Sequence, residues 1–118
     1  MIRLQNVALK YDRGPDVLTE VNFHLRPGSF HFLHGESGAG KTSLLRLMFM
    51  SLHPTRGQLY MFNDDVSRVS AQKRAQLRRR IGIVFQDFRL LDHLTVWENV
   101  ALPLRVIGKK PSDYREDV

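Results

Sequence analysis

The chain has 118 residues, a formal net charge of +6 and no cysteine. A length of that order holds one domain or part of one, and the lack of thiols excludes disulfide frameworks and Cys-ligated metal sites. Hydrophobic residues at 42% and charged residues at 25% are ordinary for a globular chain.

The opening, MIRLQNVALKYDRG, has neither the apolar core nor the cleavage site of a secretory signal. The longest apolar stretch, Leu44 to Leu52, is interrupted by Arg46 and Ser51 and is too short to span a bilayer. Membrane association is therefore expected to run through a partner. The basic excess suits polyanions in general. Much of it lies between Arg68 and Arg80, a segment without an acidic residue. That segment reads as a solvated helix face. No aromatic residue interleaves the charges as a nucleic-acid stacking platform would require, so no nucleic-acid partner is expected.

In chain order, IRLQNVAL alternates loosely and predicts a strand. VLTEVNFHL predicts a second, with Val17, Thr19, Val21, Phe23 and Leu25 on one face. DRGPD is the turn between them, and RPG closes the pair. SFHFLHG, apolar on both faces, predicts a short buried parallel strand. Thr42 to Leu52 predicts a helix burying Leu44, Leu45, Leu47 and Met48, ended before Pro54. QLYMF is a strand, NDD a turn, Ala71 to Arg79 a polar helix and IGIVF another buried strand. Thr95 and Glu98 have capping-box spacing, so a helix should follow, disturbed at Pro103. After a break at Gly108 to Pro111, SDYREDV predicts the first turns of another helix. The order implies an α/β fold with an antiparallel β start and a partly parallel sheet.

Residues Gly35, Glu36, Ser37, Gly38, Ala39, Gly40, Lys41 and Thr42 match G-x-x-x-x-G-K-[ST] in full. Average composition produces that match by chance in roughly one chain in several hundred of this length, and the expected strand before and helix after narrow it further. The glycines let backbone N–H groups turn inward, and the helix adds its positive dipole end. Lys41 supplies an ammonium for the β- and γ-phosphates and Thr42 a hydroxyl for Mg²⁺. Ser43 extends the contact surface. Glu36 would oppose an anion if it faced inward, so it is expected to point to solvent. The five histidines are scattered, and His31 and His34 fall on opposite faces of a strand, so no histidine metal site is expected.

Three further stretches carry a resemblance: Tyr11 in LKYDRG, Gln86 in IGIVFQD, and LLDHLTVWENVALPLRV. With SGAGKTSLLRLM, they resemble the ATP-binding subunits of ABC transporters over residues 1–118, most closely the cell-division branch of that family. Lipoprotein-release and macrolide-export ATPases share much of the pattern. The resemblance implies a P-loop NTPase of the ABC nucleotide-binding type, with ATP and Mg²⁺ as cofactors. It makes Tyr11 the residue that stacks on adenine, and Gln86 the Q-loop contact to Mg²⁺ and the attacking water. It also makes Phe88 to Leu94 the face toward an integral membrane subunit. A cytoplasmic protein, peripheral at the inner face of the membrane and homodimeric at full length, is implied with it.

The family's signature, Walker B, D-loop and switch-histidine elements find no match here, so the chain reads as the N-terminal half of such an ATPase. A Walker B reading of IGIVFQD is disfavoured because Phe88, not glutamate, follows Asp87. The half is therefore expected to bind nucleotide without a general base to hydrolyse it, and to leave sheet edges and helix faces uncovered. A small self-contained kinase is a competing reading, weakened because Arg78 to Arg80 runs straight into an expected strand and makes a poor lid. A nucleotide-holding module without catalysis is another.

Overall fold

The computed structural model describes residues 1–118. It divides into two compact units, Met1–Arg78 and Arg79–Val118.

In the first unit, β1 (Ile2–Lys10), β2 (Asp16–Leu25), β3 (Arg56–Met61) and β4 (Asp64–Asp65) form one antiparallel sheet in the order β2-β1-β3-β4. β1 is bulged. Leu4 faces Phe23 and Val7 faces Val21, so Gln5 and Asn6 together oppose Asn22. The extra residue turns Asn6 to a φ of 48°, and the two asparagines close the gap reciprocally. Asn6 N–H donates to Asn22 Oδ1 and Asn22 Nδ2 donates to Asn6 Oδ1, both at 3.0 Å. On the other side, β3 passes the bulge at Gly57, where a Cβ would lie 2.3 Å from the Asn6 carbonyl oxygen.

A second bulge, at Glu20 on β2 with φ 50°, shifts the register between Val7↔Val21 and Leu9↔Leu18. It corrects the expected alternation at one place: Leu18 is buried and Thr19 exposed, while Val17, Val21, Phe23 and Leu25 are half-buried as expected.

Helix α1 (Lys41–Met48) follows the phosphate loop and packs against β2. Leu44 and Leu47 are buried, but Leu45 is exposed and Met48 only half-buried. The helix stops short of Leu52. Met50 turns to φ 58°, its N–H donates to the Leu47 carbonyl, and Ser51 N–H donates to that of Arg46, both at 2.9 Å. These paired bonds make a Schellman ending. The turn drives the Met50 side chain into the core, where it is 2% exposed.

Helix α2 (Ala71–Arg78) buries only Leu77. Its basic surroundings are not merely solvated: Lys73 pairs with Asp64 at 3.4 Å and Arg68 with Asp65 at 3.3 Å. Ser67 donates its hydroxyl to Asp65 at 2.6 Å, and that bond holds the Asp65 carboxyl below its usual range.

In the second unit, α3 (Val96–Val106) opens with the expected capping box. Thr95 Oγ1 accepts from Glu98 N–H at 3.2 Å, and Glu98 Oε2 accepts from Thr95 N–H at 2.8 Å. The Thr95 amide bond lowers the Glu98 pKa. Pro103 does not end the helix, which runs on to Val106; a proline ring removes one ladder bond, and here the remaining turns hold. The helix closes at Gly108, φ 87°, with bonds from Gly108 N–H to Arg105 O and Lys109 N–H to Leu104 O, both 3.0 Å. The helix expected over SDYREDV is a single 3-10 turn, Pro111–Asp113. Tyr114 then leaves helical geometry and buries its ring, stacked on Trp97 with centroids 5.8 Å apart.

Two expected strands do not form. SFHFLHG and IGIVF are irregular, with Phe30 and Phe32 82% and 84% exposed and Val84 99% exposed. The sheet contains no strand that would pair with either. An unpaired strand has no outlet for its N–H and C=O groups except water. The sheet is accordingly all antiparallel, and part of the uncovered apolar surface expected from the sequence lies on these stretches, with more at Phe88, Leu90 and Val96.

Replacing Gly57 with alanine should destabilise the first unit by about 2–4 kcal/mol, because the new methyl meets fixed backbone and the φ of 82° is itself unfavourable. A urea or thermal midpoint equal to wild type would contradict this packing.

Candidate nucleotide-phosphate site

The loop from Gly35 to Gly40 is a compact turn that delivers the chain into α1. Ala39 N–H donates to Glu36 O at 3.2 Å, and Leu44 N–H donates to Gly40 O at 2.9 Å as the first helical bond. Gly38 and Gly40 have φ of 84° and 88°. Their roles differ. A Cβ on Gly38 would meet nothing within 4 Å, whereas one on Gly40 would lie 2.9 Å from Leu18 Cδ2 and 3.1 Å from the Val17 carbonyl. Gly40 is thus also what allows α1 to start hard against β2.

The start of α1 has no side-chain cap and no acidic residue in its first turn. The first N–H groups of a helix lack intrahelical partners, so this end is a positive terminus without a built-in counter-charge. Lys41 arches back over the loop, donating from Nζ to Gly35 O at 2.8 Å and to Glu36 O at 2.6 Å. An ammonium has three donors, and two are used here. Glu36 is exposed and gives the lysine its carbonyl, as expected for a side chain turned to solvent. Thr42, one residue on, is exposed. A Mg²⁺ ion carried on phosphate oxygens needs few protein ligands, and a free hydroxyl beside an anion cradle fits that requirement. No group of three His, Asp or Glu side chains is placed to hold a metal without such help.

Tyr11 follows β1 and is 41% exposed. Its hydroxyl lies 3.0 Å from Ser43 Oγ in the first turn of α1. Ser43 is 9% exposed. The structure therefore brings Tyr11, Lys41, Thr42 and Ser43 together around one helix start.

Gln86 belongs to the second unit and is exposed. It sits in a turn closed by Phe88 N–H on Phe85 O at 3.2 Å, followed by left-handed φ values at Phe88 and Arg89. Asp87, the residue of the Walker B alternative, pairs with Arg89 at 3.2 Å, and the Arg89 guanidinium lies 4.4 Å from the Phe85 ring centroid. Phe88 and Leu90 are 77% and 65% exposed. Sequence reasoning missed how this segment is held. The Asn99 Oδ1 accepts from Leu91 N–H at 2.8 Å, and its Nδ2 donates to the carbonyls of Leu91, Leu94 and Thr95 at 3.0–3.2 Å. The available signal was an asparagine inside a helix, four residues after its cap, where a short amide competes for local backbone.

A glycine-rich loop, an uncapped helix start and a lysine folded over both define a P-loop nucleotide-binding protein. Residues 18–118 match the family model described as ABC transporter, and the chain belongs to that family. It is 41% identical over its whole length to the cell division ATP-binding protein FtsE of Escherichia coli (strain K12), covering 53% of that protein. It is 38% identical, again over its whole length, to FtsE of Bacillus subtilis (strain 168), covering 52%. Among solved structures, it superposes with a TM-score of 0.86 at 32% identity on a dimeric ATP-binding cassette in a post-hydrolysis state bound to ADP and Pi, covering 98% of this chain and 53% of that one. The chain spans about half the length of the curated relatives it matches.

Substituting Asn99→Ala should release the Leu91 amide, quickening its hydrogen exchange about tenfold or more. Exchange unchanged in the variant would show that the amide is protected by something other than this side chain.

Proposed function

We propose that this chain is the ATP-binding portion of an FtsE-like ABC ATPase, which couples ATP binding and hydrolysis to an FtsX-like integral membrane subunit in cell division. The observation that carries the reading is Lys41. Its ammonium is held over the loop by two carbonyls with one donor left, directly beside the uncapped start of α1. That arrangement suits a chain of phosphate oxygens and offers little to a neutral ligand. The family match and the FtsE names of its relatives support the cell-division assignment.

In this reading the backbone from Gly35 to Gly40, with Lys41 and Thr42, holds the triphosphate of ATP. Mg²⁺ would neutralise phosphate charge, with the Thr42 hydroxyl as a protein ligand; Gln86 keeps the Q-loop role that its sequence context implies. Tyr11 offers a ring to the adenine, a contact worth about 1–3 kcal/mol that discriminates bases poorly. The exposed segment Phe88 to Leu94 faces the membrane subunit. Hydrolysis requires a positioned water as well as charge neutralisation, and it belongs to the whole protein working as a homodimer at the cytoplasmic face of the membrane. The segment described here binds the nucleotide.

Lys41→Ala should weaken ATP binding about a hundredfold or more, since the ammonium charge and its remaining donor to the phosphates are lost. Titration calorimetry, or displacement of a fluorescent ATP analogue, measures this. Equal affinity in the variant and the wild type would sink the site assignment.

A further inference from the structure

The Tyr11 hydroxyl and Ser43 Oγ lie 3.0 Å apart, and the two residues are 32 positions apart in sequence. The pair joins the end of β1 to the first turn of α1, within one unit. Tyr11 has little else to fix it. It opens the turn that Gly14 N–H closes on its carbonyl at 3.0 Å, and the residue remains 41% exposed. Ser43, by contrast, is fixed by the helix and nearly buried. A side chain locked by the helix thus anchors a ring that would otherwise sample several rotamers.

We propose that Ser43 is a positioning residue for nucleobase binding: its hydroxyl holds the Tyr11 ring beside the phosphate loop, so that one face is presented at a set distance from bound phosphates. This rests on the nucleotide reading above and assigns Ser43 a role through Tyr11 rather than through phosphate. Pre-setting the ring removes part of the ordering cost that base binding would otherwise carry. Because any base has a π-face, the gain extends to ATP and GTP alike. It does not extend to a ligand that lacks a base.

The test uses the 118-residue chain with two ligands, ATP and inorganic tripolyphosphate, and reads the ratio of their affinities. Ser43→Ala and Tyr11→Phe should each lower the ATP-to-tripolyphosphate ratio, roughly twofold to tenfold, the span of one net hydrogen bond. The double variant should lose no more than either single one, and Ser43→Thr, which restores a hydroxyl, should recover the ratio. Tyr11→Phe keeps the ring and its packing, so a folding defect in the serine variant cannot imitate the pattern.

Loss of ATP and tripolyphosphate binding in equal measure in Ser43→Ala would overturn the proposal, since Ser43 would then act on phosphate. An unchanged ratio in both single variants, or additive losses in the double, would overturn it as well. Lys41→Ala separates the two levels. If it abolishes binding of both ligands while the Ser43 ratio stays put, only the positioning role fails; if it changes neither, the nucleotide site itself fails.

Discussion

A backbone N–H or C=O removed from water needs a partner, and this requirement decides which parts of the chain become ordered sheet. β1 meets it on both edges, flanked by β2 and β3 over most of its length. Its residues Leu4, Val7, Ala8 and Leu9 are all buried in consequence. The bulge at Asn6 is the point at which three strands must agree. Asn22 closes it from one side, and Gly57 makes room for it on the other. α1 is placed by the same sheet, because Gly40 lets the helix start against Leu18 of β2. The phosphate loop is therefore positioned by a chain of close approaches running from β1 through β2 to the glycine at the head of α1.

The same requirement explains what was legible in the sequence. Local chemistry was legible: the phosphate loop, the capping box at Thr95 and Glu98, and the strands whose partners lie nearby in the chain. SFHFLHG and IGIVF have the composition of buried strands, and composition reports what a segment would do beside a neighbour. It does not report whether the neighbour is there, which is a property of the whole sheet. Bulges are opaque for a related reason. At Glu20 a single inserted residue moves Leu18 inward in place of Thr19, and nothing in an alternating run marks where the alternation is reset. Met50 is a third case. A left-handed methionine gives no sequence signal, since that position is ordinarily glycine, and burial of the side chain offsets the backbone cost.

Charge follows a comparable division. The run from Arg68 to Arg80 contains no acid, and reading along the chain suggested a solvated face. The acids lie just upstream, in β4, and the hairpin from Tyr60 to Asp65 brings them to Lys73 and Arg68. These exposed pairs contribute at most about 1 kcal/mol each. Their consequence is for electrostatics at range: part of the basic excess is neutralised locally, whereas Lys41 is countered only by carbonyl dipoles. The ammonium at the loop thus lies outside the ion pairs that neutralise Lys73 and Arg68.

That contrast bears on how the candidate site divides its work. Lys41 and the start of α1 act on charge, and the same force would hold any polyphosphate. In the proposed reading, Tyr11 offers a ring face and contributes only when a base is present. The two functions sit on different elements, a helix start and the segment after a strand, and they meet at the contact between Tyr11 and Ser43. Under the proposal, such a site would gain affinity from the phosphates it holds and a preference for nucleotides over simple polyphosphates from one ring. The accuracy of that ring's placement then depends on the helix, because Ser43 moves with α1. On that proposal, any rearrangement of the loop that shifts the first turn of α1 on binding phosphate also moves the anchor of Tyr11, which would link phosphate and base recognition mechanically through a single hydroxyl pair.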